Sequence, residues 1–212
     1  MSNVYIITAP SGAGKTTIAQ AIAKAGDWTE CISHTTRKIR DGEQHGKTYY
    51  YVDVPTFNTM KANDELAENL KYNGNLYGIS KAEIERVTNT GRDVFIIAEY
   101  HGYLQIKDIY PNAIGIFIHM SKEDCLANML LRGDKINDAL ERVSFYDDEM
   151  KDVVDYDYVI RNVRDKRFET ENIIKSIIRQ NSNKITISAS KSPIVASGQI
   201  TLTDTIPTRL NY

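Results

Sequence analysis

The sequence is poor in residues that staple or ligate. Its two cysteines, Cys31 and Cys125, make neither a disulfide framework nor a thiolate metal quartet. Its four histidines, His34, His45, His101 and His119, lack the paired spacing of a metal motif. Charge of neither sign dominates: 26 Lys and Arg against 28 Asp and Glu leave a formal net charge of −2. That balance excludes a global attraction to nucleic acid or anionic membrane, so any phosphate binding rests on local clusters. No apolar run reaches membrane-spanning length, and the first residues carry no basic-plus-apolar leader. The expectation is a cytoplasmic protein, monomer or homodimer, with neither nucleic acid nor membrane as partner. What is present is 42% hydrophobic residues over 212 positions, enough to bury a core unaided.

Short apolar runs recur along the chain. Residues 4–8 (VYIIT), 93–98 (DVFIIA), 113–119 (AIGIFIH) and 156–160 (YDYVI) each have the length and continuity of a buried strand. Helical spacing follows the first of them at Ile18, Ala19, Ile22 and Ala25, with Gly26 as the stop. Further helices are expected over 121–131, 137–150 and up to about 181, the first opened by the capping sequence Ser-Lys-Glu-Asp. Strand and helix alternating in this way predict an α/β core with a mostly parallel sheet covered on both faces. Residues 31 to about 85 break the pattern with a Tyr-rich alternating run, GKTYYYVDV, and read as a small, partly antiparallel insertion.

The first strand runs into PSGAGKTT, residues 10–17. Glycines before Gly-Lys-Thr, between a strand and a helix, form a phosphate cradle whose backbone N–H groups point inward. Ser11, Gly12, Ala13, Gly14, Lys15, Thr16 and Thr17 are its candidates for holding ATP. Lys15 would reach the β- and γ-phosphates and the Thr16 hydroxyl would ligate Mg²⁺. The first position of the motif is Ala9 rather than glycine, tolerable where φ stays negative. Downstream, Arg37 and Arg40 lie just before the tyrosine run. Two guanidinium forks suit a second phosphate, and Tyr49 adds a hydroxyl.

The order PSGAGKT, SHTTR, GKTYYYV, LYGIS and GRDV resembles the guanylate kinase family over roughly residues 3–181. The resemblance implies a three-layer P-loop core, an inserted α+β lobe for a nucleoside monophosphate over 32–85, and a helical lid over 126–150. It implies transfer of the γ-phosphoryl group of ATP, with Mg²⁺, to GMP or dGMP. Arg37, Arg40, Tyr49 and Tyr77 match the positions that hold the acceptor phosphate, and Ser80 follows them in the acceptor set. Ser33 and Glu68 match two that read the guanine edge. Arg132 and Arg142 match lid arginines, and Asn162 the stretch bordering adenine. Glu99 stands where a carboxylate serves near Mg²⁺.

Three departures accompany these matches. Ile79 replaces a Ser or Thr, Ile97 replaces a carboxylate that helps read guanine, and the lid lacks an arginine around Asn128. They leave open another nucleotide or a phosphorylated sugar as acceptor, and beside these a non-catalytic interaction domain. Elsewhere the bland reading holds: Asp147, Asp148, Glu149 and Asp152 read as a solvated helix face, and Cys125 as inert packing.

Residues 184–212 are rich in Ser, Thr and Ile without helical period, and read as two or three short strands forming an extension with no catalytic pattern. Deleting them is expected to leave turnover nearly unchanged. Loss of activity in a truncated protein with intact circular dichroism would contradict this.

Overall fold

The computed structural model describes residues 2–24, 28–72 and 74–182. The Gly26 helix stop and the 184–212 extension lie outside the described residues. Strands β1 (Val4–Thr8), β2 (Trp28–Glu30), β7 (Asp93–Ile97), β8 (Ile114–His119) and β9 (Tyr158–Arg161) form one parallel sheet in the order β2-β7-β1-β8-β9. Because successive side chains alternate faces, one strand feeds two cores. Tyr5, Ile7, Phe95, Ile116 and Ile118 pack with Ile18, Ile22, Ile174 and Ile177. Those helix residues come from α1 (Lys15–Lys24) and α8 (Arg167–Ser182). Ile6, Val94, Ile96 and Phe117 face the other way, onto α3 (Lys81–Thr88) and α4 (Tyr100–Ile109). Apolar side chains on both faces explain the continuous hydrophobic runs and the three-layer architecture.

A second sheet, ordered β4-β3-β6-β5, joins β3 (His34–Thr35), β4 (Tyr50–Tyr51), β5 (Leu66–Tyr72) and β6 (Asn75–Ser80). Its β5–β6 and β3–β6 pairs are antiparallel and its β3–β4 pair parallel. The expected tyrosine strand shrinks to two residues. Asp53 ends it by accepting the Thr56 N–H at 2.8 Å, which caps α2 (Val54–Ala62) with proline in its first turn. β5 docks on the core through α4, where Asn69 N–H donates to Gln105 Oε1 at 3.1 Å.

Ser121 caps α5 (Lys122–Leu131) by accepting the Asp124 N–H. The helix expected over 137–150 is instead three pieces: α6 (Ile136–Ser144), α7 (Tyr146–Glu149) and a 3₁₀ turn, Met150–Asp155. Ser144 Oγ donates to the Glu141 carbonyl at 2.6 Å, competing with the helical ladder where α6 stops. The last core strand likewise begins at Tyr158, since Tyr156 closes the 3₁₀ turn with its N–H on the Val153 carbonyl.

Gly115 of β8 faces the Tyr103 ring, and a Cβ there would lie 2.6 Å from Tyr103 Cε2. That ring is fixed, stacked on Tyr156 at 4.3 Å and donating its hydroxyl to the Asp155 carbonyl at 2.5 Å. Gly115→Ala is therefore expected to cost about 1–3 kcal/mol by overpacking. In thermal melts each kcal/mol should lower Tm by about 2–4 °C. An unchanged Tm would mean the ring moves freely.

Candidate active site

The loops after β1, β7 and β8 all open at the carboxyl end of the parallel sheet, where open α/β folds bind ligands. Between β1 and α1 the chain passes through Gly12 (φ +87°) and Gly14 (φ +88°). A Cβ on Gly12 would sit 2.2 Å from the Cys125 carbonyl oxygen, so a side chain is excluded on two counts. Ala9 is buried and is not among the residues with positive φ, so its methyl is accommodated. Two asparagine amides fix the loop from behind. Asn128 Nδ2 donates to the Gly12 carbonyl and Asn162 Nδ2 to the Ala13 carbonyl, each at 2.9 Å. Thr170 locks Asn162 by donating to its Oδ1 at 2.9 Å. The first-turn N–H groups of α1 have no helical carbonyl before them, which makes this end an anion site. Ser11 is half-buried at the loop, and Thr16 and Thr17 are exposed on the first turn.

Lys15 and Arg37 each rest on a carboxylate. Lys15 Nζ lies 2.8 Å from Glu99 Oε1 and 3.5 Å from the Ala98 carbonyl. Arg37 Nη2 donates to Glu43 Oε1 at 2.7 Å, and its guanidinium lies over the Tyr49 and Tyr51 rings at 5.4 and 5.9 Å. Glu43 also accepts from the Arg40 N–H and the Tyr51 hydroxyl. The Arg37 guanidinium and these donors pull its carboxyl down to about 2. Arg40 itself is exposed. Tyr77 packs its ring on Tyr49 at 5.9 Å, completing the aromatic wall of this group.

Glu68 lies deeper, with 4% of its surface exposed. It fronts the first turn of α4, where a Cβ on Gly102 would meet its Oε2 at 3.1 Å. That oxygen has no hydrogen-bond partner among the described residues. Burial, with Glu99 adding repulsion, raises its pKa to about 7. Ser80 is buried and accepts the Glu83 N–H at 3.2 Å as the cap of α3. Ser33 is half-buried, its carbonyl accepting the Tyr50 N–H.

Beside the loop a cleft of about 490 Å³ is lined by Gly12, Gly14, Thr17, Arg132 and Asn162, among others. Arg132 grips Asp134 through two bonds of 2.9 and 2.5 Å, and Arg142 reaches the same carboxylate at 3.2 Å. The site residues thus fall into a group around the loop and Arg132, a group around Arg37, and Lys15 paired with Glu99, whose charge also reaches Glu68.

Glu149 corrects one expectation: it is not part of a solvated face. Its Oε2 is buried without a partner among the described residues, and burial plus repulsion from Glu99 raises its pKa to about 7, with Lys15 opposing. Cys125 is buried and its thiol is pushed up to about 12 by burial, as inert packing requires. Sequence reasoning did not find Glu43, Asp134, Tyr72 or the loop-tying role of Asn128. Only Glu43 carried a signal, sitting between Arg40 and the tyrosines.

Among the described residues no group of three or more His, Cys, Asp or Glu could hold a metal alone. Mg²⁺ bound with nucleotide phosphates needs only one or two protein ligands, and the exposed Thr16 hydroxyl and half-exposed Glu99 carboxylate fit that demand. No helix among the described residues is long and apolar enough to cross a membrane.

A glycine cradle at the carboxyl edge of a parallel sheet, with Lys-Thr opening the following helix, defines a P-loop protein. The guanylate kinase family model matches residues 1–181. The guanylate kinase of Dechloromonas aromatica is 35% identical over 180 residues, covering 84% of this chain and 88% of the relative. That of Salmonella typhimurium is 37% identical over 182 residues, covering 83% and 86%. The crystal structure of guanylate kinase from Anaplasma phagocytophilum superposes with a TM-score of 0.67 at 26% identity, over 87% of this chain and 88% of the other. The chain belongs to the guanylate kinase family and is a nucleoside monophosphate kinase.

The buried Glu68 makes stability depend on pH in a defined direction. With a folded pKa raised to about 7 from 4.5, the native state holds a proton that the unfolded chain has lost between these values. Stability therefore declines as pH rises through that window and levels off above it. Glu68→Gln should raise the Tm of the unliganded protein by several degrees more at pH 8 than at pH 4, below the window. Parallel Tm curves for the two proteins would show that Glu68 ionises normally.

Proposed function

We propose that this chain transfers the γ-phosphoryl group of ATP to GMP or dGMP. Residues 1–181 serve as the catalytic domain, with 32–85 as the acceptor lobe and 126–150 as the lid. The observation that carries the base assignment is Glu68, a buried carboxylate with an oxygen left unpaired beside the acceptor group. Guanine presents adjacent N–H donors, and a buried acceptor left unpaired costs about 1–3 kcal/mol, so such a ligand is favoured there. Ser33 reads the same edge. The names of the relatives agree with this assignment.

Phosphoryl transfer asks for alignment and charge neutralisation more than for covalent help. Lys15 and the loop amides hold the donor, with Ser11, Ala13, Thr17 and Asn162 around it. Arg37, Arg40, Tyr49 and Tyr77 hold the acceptor phosphate, and Ser80 keeps β6 seated through its cap. An acceptor oxygen attacks Pγ while the bond to the β–γ bridging oxygen breaks and ADP leaves. No general base is needed, because a monophosphate oxygen is ionised at neutral pH. Arg132 and Arg142 neutralise charge on the moving group. Thr16 and Glu99 would hold the Mg²⁺ that accompanies ATP, which when bound would further neutralise the β- and γ-phosphates.

One observation favours a different acceptor. Ile79 is 1% exposed and packs with Ala67 and Ile84, offering no polar atom at a position expected to carry a hydroxyl.

The deciding experiment is coupled ADP release from ATP and Mg²⁺ against GMP, dGMP, AMP, dTMP, dCMP and ribose phosphates. Turnover is expected with GMP or dGMP. Arg37→Ala should reduce kcat/KM for the acceptor by about 100-fold, the loss of two charged hydrogen bonds. Preference for another acceptor would move the base assignment, and ATP binding without turnover would indicate an interaction domain.

A further inference from the structure

Among the described residues, a side-chain bond joins the second sheet to the segment carrying Arg142. Tyr72, the last residue of β5, is 50% exposed, yet its hydroxyl accepts a hydrogen bond from Arg142 Nη2 at 2.8 Å. Arg142 Nη1 meets Asp134, the carboxylate that also holds Arg132. The hairpin carrying Tyr72 is anchored at its other end, where Glu68 fronts Gly102 and Asn69 bonds Gln105. One strand thus runs from the buried Glu68 to the residue that touches Arg142.

We propose that Tyr72 is a positioning residue that couples the acceptor sheet to the lid by fixing the guanidinium of Arg142. The chemistry suits that task. A guanidinium carries five donors in a fixed plane, and Tyr72 and Asp134 engage two nitrogens, leaving further N–H groups for a phosphate. A phenol oxygen orients the arginine without neutralising it, whereas a second carboxylate here would cancel the charge a phosphate needs. The exposure of Tyr72 means its hydroxyl contributes little to folding, so its removal reports on function.

This rests on the reading that Arg142 serves the transferring phosphate, and the experiment separates the two. Steady-state kinetics on the full chain would compare Tyr72→Phe, Arg142→Ala and the double variant. Tyr72→Phe is expected to lower kcat by roughly 3- to 10-fold, with KM for ATP within about twofold of wild type. Arg142→Ala should lower kcat by about 100-fold or more, and the double variant should match it. Unchanged kcat in Tyr72→Phe, or independent multiplication of the two effects, overturns the coupling. Wild-type turnover in Arg142→Ala overturns both the role of that arginine and the coupling. The contact itself is read without any substrate by spin labels at Lys71→Cys and Glu141→Cys, since Cys31 and Cys125 are buried. A narrow distance distribution that broadens on adding Tyr72→Phe supports the latch, and identical distributions overturn it even if no acceptor is turned over.

Discussion

Everything in this site depends on how closely the phosphate loop is pressed against the elements behind it. Gly12 lies so near the Cys125 carbonyl that a Cβ would come within 2.2 Å, and its φ of +87° would strain any other residue. The loop cannot relax outward either, because Asn128 and Asn162 hold two of its carbonyls at 2.9 Å. Tying the carbonyls to the protein leaves the N–H dipoles as the face offered to a ligand. Those dipoles are fixed before the ligand arrives, so little reorganisation opposes binding. The asparagines come from α5 and from the residue just after β9, far apart in sequence, so the cradle is a property of the assembled sheet as well as of its glycines.

The second theme is borrowed neutralisation. Lys15 rests on Glu99, Arg37 on Glu43, and Arg132 and Arg142 share Asp134. Glu99 and Arg132 are about half-exposed, so their pairs contribute about 0–1 kcal/mol and an arriving phosphate displaces such a partner at little cost. Arg37 and Glu43 are both largely shielded, and a phosphate there exchanges one charged bond for another. What the carboxylates supply is orientation. Arg37 is held over Tyr49 and Tyr51, at 5.4 and 5.9 Å from the two ring centres. The unliganded protein therefore keeps Lys15, Arg37, Arg132 and Arg142 positioned without leaving any of these four as an uncompensated charge.

The core was legible because its signals are local. Apolar runs of strand length, a glycine cradle and Ser121 as a helix cap each declare themselves within a dozen residues. The tyrosine run misled because three β-formers in a row look like a longer strand, although Asp53 and Pro55 already marked a helix start. The break after Ser144 was illegible, since it turns on a hydroxyl competing for the Glu141 carbonyl. Glu149 shows the wider limit. Within an acidic run its neighbours Asp147 and Asp148 do pair with exposed lysines, while it alone turns a carboxylate oxygen inward. Pattern cannot separate three adjacent acids that the tertiary structure treats differently.

Glu68 ties stability to the proposed chemistry. A carboxylate buried with one oxygen unpaired is a cost that folding alone does not justify, because leucine or glutamine would fill a strand position of that kind more cheaply. If the position serves an acceptor base, the cost belongs to the unliganded state and is recovered when N–H donors arrive, so binding is strengthened by what the empty protein lacks. The same carboxylate repels Glu99, the partner of Lys15. An acceptor that satisfies Glu68 therefore also stabilises its ionised form and changes the field at the donor lysine. On the proposed assignment of acceptor and donor sites, the Glu68–Glu99 repulsion would link the two electrostatically, beside the hairpin contact proposed above.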